Sequence, residues 1–102
     1  MSEYVTVAKP EDLAPGQGCV VEANGNEVAL FNLNGTFYAI DNMCAHQGGP
    51  LGEGLLEGET VICPWHSWKY SVKSGVCSSN PSVKVKTYSV KIENGQIKVA
   101  LT

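Results

Sequence analysis

Two short segments constrain this chain more than anything else in it: Cys44-Ala45-His46 and, after a gap of sixteen residues, Cys63-Pro64-Trp65-His66. Together they hold both histidines of the chain and two of its four cysteines. Each segment offers one thiolate and one imidazole, so a shared metal centre would oblige the fold to bring two separate loops to one place. Such a set can hold a 2Fe–2S cluster, with both thiolates on one iron and both imidazoles on the other. Cys44, His46, Cys63 and His66 are therefore the candidate ligands.

The mixed ligand set has an electrostatic consequence. Four thiolates around two ferric ions and two sulfides leave the oxidised site dianionic; exchanging two of them for neutral imidazoles leaves it neutral. An electron enters a neutral site more easily, which places such centres at about −150 to +300 mV, against about −400 mV for plant-type ferredoxins. Backbone amides in Ala45–Gly49 and Trp65–Trp68 are expected to point at the sulfurs and stabilise the added electron. A metal-bound imidazole also presents its second nitrogen outward, where it can serve as the electron exit. Pro50, Leu51, Pro64 and Trp65 would form an apolar collar around it, or simply packing that keeps water off the cluster. The competing metal is zinc, for which two cysteines and two histidines are a common structural set. Zinc fingers, however, pair cysteine with cysteine and histidine with histidine, and here each segment mixes them. A catalytic Cys–His pair is a weaker alternative, since it would have to arise twice at matched positions.

Outside these segments the chain reads as all-β, with strands separated by turn signals and no helical period. Tyr4–Val7 opens the series, and Lys9–Gly16 is a loop with one helical turn. Cys19–Glu22 follows, then a turn at Asn24-Gly25-Asn26. Glu27–Leu33 and Thr36–Ile40 flank Asn34-Gly35, and Tyr88–Glu93 and Gln96–Leu101 flank Asn94-Gly95; Asn-Gly favours tight hairpins because both residues tolerate positive φ. Tyr88, Val90 and Ile92 alternate with Ser89 and Lys91, and Ile97, Val99 and Leu101 with Lys98, the pattern of half-buried antiparallel strands. Between Asn42 and Tyr70 the texture changes. Five glycines (48, 49, 52, 54 and 58) fall between the two ligand segments. Gly48-Gly49-Pro50 can bring backbone close to a bulky group, and Leu55-Leu56 and Thr60–Ile62 read as short strands around Glu57-Gly58-Glu59. One domain over residues 1–102 is expected, an antiparallel β-sandwich base (1–41 and 72–102) carrying a cluster-binding insert (42–71).

Composition excludes several classes of function. A net charge of −3 argues against nucleic acid as a partner. No apolar run approaches the ~20 residues that span a bilayer, and no signal peptide is visible, so the expected location is the cytoplasm with no membrane attachment. All seven basic residues are lysine. Asp41, Glu53, Glu57 and Glu59 precede a lysine stretch (69, 73, 84, 86 and 91) free of acids; this is either an unevenly solvated surface or a polarity that orients the molecule on a redox partner. Cys19 and Cys77 are expected as free buried thiols rather than as a disulfide.

Cys44-Ala45-His46-Gln47-Gly48-Gly49-Pro50-Leu51 and Cys63-Pro64-Trp65-His66-Ser67-Trp68-Lys69-Tyr70 resemble the two ligand boxes of Rieske proteins, and the resemblance extends over almost the whole chain. It implies the Rieske iron-sulfur fold with one 2Fe–2S cluster at the tip of the insert, and a third loop, here Ser78–Ser82 with Pro81, covering it. High-potential Rieske proteins carry an extra cysteine in each box, joined as a disulfide, at positions matching Gly49 and Trp65. They also have a serine at the position of Trp68. This chain instead resembles the low-potential ferredoxins that feed ring-hydroxylating oxygenases. Ser67 departs from the usual glycine, and Tyr70 matches a tyrosine of the high-potential group that could donate to a ligand sulfur. The implied function is single-electron transfer from a flavin-dependent reductase to a Rieske oxygenase, through transient contacts and without catalysis by the chain itself. The alternatives are a small Rieske subunit of a nitrite-reductase-like NAD(P)H enzyme, and a redox sensor or structural metal protein. A catalytic oxygenase is excluded by counting: its mononuclear iron needs two further histidines.

Trp68 generates the first prediction. A serine hydroxyl at this position would bond a cluster sulfide more strongly once the cluster gains negative charge. A hydrogen bond to a charged acceptor contributes about 1.5–3 kcal/mol, equivalent to about 65–130 mV for one electron, and only the difference between oxidation states counts. Trp68→Ser should therefore raise the potential by less than that, from a parent value near the lower end of the Rieske range. Protein-film voltammetry on both proteins checks it; an unchanged potential in an intact variant would refute the hydrogen-bond argument.

Overall fold

The computed structural model describes residues 4–43, 50–64, 68–78 and 80–100. Among the described residues ten strands form three antiparallel sheets: β1 (Tyr4–Ala8), β2 (Gly18–Ala23), β3 (Asn26–Leu33), β4 (Thr36–Asp41), β5 (Leu55–Glu57), β6 (Thr60–Ile62), β7 (Lys69–Ser71), β8 (Thr87–Tyr88), β9 (Val90–Glu93) and β10 (Gln96–Ala100). Their orders are β2-β3-β4-β8, β1-β10-β9 and β5-β6-β7. Short 3₁₀ turns at Pro10–Asp12 and Leu51–Glu53 are the helical elements described.

The β2-β3-β4-β8 sheet is central because it is apolar on both faces. Val28, Ala29, Leu30 and Phe31 are all fully buried, which requires a layer on each side of the sheet. Alternation along β3 and β4 sorts the side chains. Val28, Leu30 and Ala39 pack with Ile97 and Val99 of β10. Ala29, Phe31 and Ile40 pack the other way, against Leu51, Val61, Cys63, Tyr70, Val72, Cys77 and Val85. The insert is thus built onto the second face of the base through a continuous core.

The expected hairpins form. Asn24, Asn34 and Asn94 have φ of 50°, 54° and 54°, each followed by a glycine of positive φ, the geometry that suits two-residue hairpin turns. The stretch Tyr88–Glu93 differs from expectation. It is two strands, not one: Thr87 and Tyr88 pair with Ile40 and Ala39 of β4, whereas Val90–Glu93 pairs with β10. The chain changes sheets at Ser89, whose carbonyl accepts the Ala100 N–H at 2.8 Å. Ile92, expected on a buried face, is 50% exposed on the outer strand β9. Strand β7, which the sequence did not announce, forms because Val61 and Tyr70 pair across it and are both buried. Leu101 lies outside the described residues.

Tyr88 fastens β8 to the end of β4: its hydroxyl donates to Asp41 Oδ1 at 2.6 Å. Burial first, then the hydrogen bond and charge of Asp41, push its phenol up to about 12. A folded pKa raised above the ordinary ~10 favours the folded state fully below pH ~10, and that contribution is lost as pH rises through the folded value. Tyr88→Phe should destabilise by about 1 kcal/mol at pH 7, the hydrogen-bond value discounted for solvent screening. In urea unfolding the deficit should shrink between about pH 10 and 12; a pH-independent deficit would mean that the bond is not its source.

Candidate functional site

The first ligand segment leaves the end of β4 and returns to the 3₁₀ turn. Met43 and Pro50 form an antiparallel bridge, and Leu51 N–H donates to the Asn42 carbonyl at 2.6 Å, so the chain departs and comes back at one point. The second segment leaves β6 and returns as β7. Ile62 pairs with Lys69, and Cys63 N–H donates to the Trp68 carbonyl at 2.7 Å. Cys63 is 1% exposed, with its side chain in the core shared by base and insert. Cys44, His46 and His66 lie outside the described residues, as do Trp65, Ser67, Gly48 and Gly49.

A shared core and one close approach bring the feet of the segments together. Leu51, leaving the first, and Cys63, beginning the second, belong to the same core cluster. A Cβ on Gly54 would run into the Ile62 carbonyl, so the chain just after the first segment presses on the residue before Cys63. The third loop is tied in as well: Ser78 N–H donates to the Lys69 carbonyl at 2.7 Å, and Cys77 N–H to that of Val83 at 2.9 Å. Pro81 is exposed there. Trp68 is half-buried and packs on the core, and Tyr70 is wholly buried beneath it. Leu51, expected either in an apolar collar or as packing that keeps water off the cluster, is fully buried, in keeping with the packing alternative. As the first residue of the 3₁₀ turn it points into the core, and Met43 (69% exposed) is the large apolar side chain at the surface beside this segment.

Asn42 was not singled out from sequence. It is 4% exposed; its Oδ1 accepts the Gly52 N–H at 2.7 Å and its Nδ2 donates to Glu27 Oε1 at 3.3 Å. A buried amide must be satisfied in this way, and a lone asparagine after an apolar strand was the available signal. Gly52 is held equally closely, since a Cβ there would stand 2.7 Å from the Cys19 carbonyl oxygen and from Val20 Cγ2.

Cys19 and Cys77 carry free thiols. They lie on opposite faces of the central sheet, Cys19 against the β10 side and Cys77 in the insert-side core, so no bridge could join them. Burial, then the charge of Asp12, pushes the Cys19 thiol up, which keeps it protonated and unreactive. The acidic and lysine-rich stretches meet in space: Glu59 pairs with Lys73 at 3.0 Å and Glu57 with Lys69 at 3.9 Å. The hydrogen bond from Lys73 to Glu59 raises the lysine's pKa. Two of the four acids and two of the five lysines thus offset one another, one pair within the insert and one across its boundary with the base. A cavity of about 520 Å³ lies at the other end of the sheets, between the Asn34 and Gly58 turns. β4 and β6 both run away from it toward the ligand segments. No helix of the described residues is long and apolar enough to cross a membrane.

This arrangement suits a centre held by two loops: two closed feet, a shared core, and a buried cysteine at the start of the second loop. A Rieske [2Fe-2S] domain matches residues 3–89 of the chain. The ferredoxin component of the naphthalene 1,2-dioxygenase/salicylate 5-hydroxylase systems of a Ralstonia species is 37% identical, over 92% of this chain and 91% of that protein. The ferredoxin fold recurs in a complex of reduced oxygenase and oxidised ferredoxin of carbazole 1,9a-dioxygenase (TM-score 0.87, 29% identity, 95% of this chain and 92% of that one). A Mycobacterium tuberculosis protein assigned as the small subunit of an NADH-dependent nitrite reductase has a TM-score of 0.93 at 26% identity, covering 100% and 97% of the two chains.

The Gly54 contact is directly testable. Because the obstructing atom is backbone, Gly54→Ala forces the two feet apart and should destabilise by about 1–3 kcal/mol. Urea unfolding measures it; an unchanged midpoint would mean that the feet are not in close contact.

Proposed function

This chain belongs to the Rieske [2Fe-2S] domain family, and from that premise we propose that it is the ferredoxin of a multicomponent ring-hydroxylating oxygenase system. In this reading it takes single electrons from a flavin-dependent reductase and passes them to a Rieske oxygenase. It does so in the cytoplasm, through transient contacts. The observation that carries the reading is the close approach of Gly54 to the Ile62 carbonyl, with Leu51 and Cys63 buried in one core. It supports convergence of the two mixed Cys–His segments, and ferredoxin components in the curated relatives support the role.

Cys44, His46, Cys63 and His66 are the proposed ligands of one Rieske-type 2Fe–2S cluster, the two cysteines on one iron and the two histidines on the other. The donor set fits, with soft thiolates for iron and sulfide and neutral imidazoles that spare charge. The cluster supplies reversible uptake of one electron. The rest is done by the chain. Burial of Cys63 keeps water from its sulfur, and the Cys63–Trp68 hydrogen bond fixes the second loop. The division into a base (1–41 and 72–102) and an insert (42–71) is supported by the insert's own three-stranded sheet. The nitrite-reductase-like reading keeps the fold likeness of the Mycobacterium tuberculosis protein, but the curated relatives favour the oxygenase system.

The test has two parts. Anaerobically handled protein should contain iron and acid-labile sulfide in equal amounts, and one zinc per chain without sulfide would overturn the ligand reading. Reconstitution with a reductase and a terminal oxygenase of an aromatic-hydroxylating system should then restore NAD(P)H-driven turnover. A loaded protein that couples instead to a sirohaem nitrite reductase would overturn the assignment of the partner.

A further inference from the structure

We propose that Asn42 is a positioning residue for the cluster: its side-chain amide clamps the two ends of the first ligand loop to each other and to β3. The inference rests on the proposed ligation by Cys44 and His46. Asn42 is the last wholly buried residue before that loop, and the loop's two ends meet on it. Its own carbonyl accepts the Leu51 N–H at 2.6 Å, and its side-chain oxygen accepts the Gly52 N–H at 2.7 Å. Its side-chain nitrogen donates to Glu27 Oε1 at 3.3 Å, while its backbone N–H reaches the Glu27 carbonyl at 3.4 Å. Gly52, the receiving end, is itself pressed on the Cys19 carbonyl of β2. The clamp therefore ties the loop to two neighbouring strands of the central sheet.

An amide is required by this geometry. One end must accept from a backbone N–H and the other must donate to a carboxylate, which neither a carboxylate nor an aliphatic side chain can do. Leucine would leave the Gly52 N–H unsatisfied in the interior. A carboxylate could still accept from Gly52 but would face the carboxylate of Glu27. The donor can be restored from the other side: glutamine at position 27 could donate to a carboxylate at 42. The two positions thus form a polarity-reversible pair, and that pair distinguishes positioning from general packing.

The experiment compares holoprotein of the parent with Asn42→Leu, Asn42→Asp, Glu27→Gln and the double variant Asn42→Asp/Glu27→Gln. Iron and sulfide are quantified first, so that a parent lacking the cluster would count against the ligand reading and not against the clamp. Readouts are the visible circular dichroism of the cluster, which senses ligand geometry, and the rate of bleaching by an iron chelator. Partners in the second coordination layer typically alter metal retention about 10–100-fold. Asn42→Leu and Asn42→Asp should bleach faster on that scale with altered dichroism, and the double variant should recover most of both. Parent-like dichroism and bleaching in Asn42→Leu would overturn the proposal. So would a double variant no better than Asn42→Asp, because coupling between the two side chains is what the clamp requires. If Asn42→Leu fails to fold, the Asn42→Asp comparison with its rescue decides alone.

Discussion

The rest of the structure depends on the pairing of β3 with β4. These adjacent strands are buried on both faces, and that burial forces a layer on each side. One layer is the β1-β10-β9 sheet; the other is the insert. Ala29, Phe31 and Ile40 supply three of the ten buried residues of the second core, so the insert shares its interior with the base. The same two strands set the direction of the molecule. β4 begins beside the Asn34 turn and ends at Asp41, where the Tyr88 hydroxyl pins it, so the first ligand segment emerges at a fixed point. Burial of apolar area, at about 25 cal/mol per Å², acts here as the means of aiming a loop.

The chemistry asks little of the chain beyond that aim. Electron carriage needs ligands of suitable charge, limited access of water, and no reorganisation when the electron arrives. Rigidity is supplied by backbone hydrogen bonds at the feet of both segments, Leu51 to Asn42 and Cys63 to Trp68, and by packing too close for a methyl group at Gly52. The ion pairs of the insert lie at the surface, where such pairs contribute little to stability. Their significance is electrostatic: Lys69 of the insert answers Glu57, and Lys73 of the base answers Glu59.

Much of this was legible in the sequence, because hairpins and alternation are local signals. Asn34-Gly35 and Asn94-Gly95 specify their turns by what φ those residues tolerate, and Ile97 and Val99 alternate into the core as their spacing indicates. What failed depended on tertiary context. Val90 and Ile92 continue the alternation of Tyr88, yet Ser89 is where the chain crosses between sheets, and nothing local marks a change of partner. Leu51 read from sequence as either a collar residue or packing, and its burial at the start of the 3₁₀ turn decides for packing. β7 was not read because Lys69-Tyr70-Ser71 holds a single apolar residue, whereas the equally short β5 and β6 carry Leu55-Leu56 and Val61-Ile62 around a turn signal. The candidate ligands stand out by residue type and spacing, whereas Asn42 does not, since its contacts come from which groups the fold sets around it.

The central claim is that two histidines and two cysteines share one cluster. The chain contains two histidines, which allows a direct measurement: incorporate ¹⁵N at histidine alone, reduce the protein by one electron, and record pulsed electron paramagnetic resonance. Two strongly coupled histidine nitrogens are expected, in a spectrum that changes with the isotope as only directly bound nitrogen can. A cluster spectrum indifferent to the label would contradict the claim, because the iron would then be held without His46 and His66.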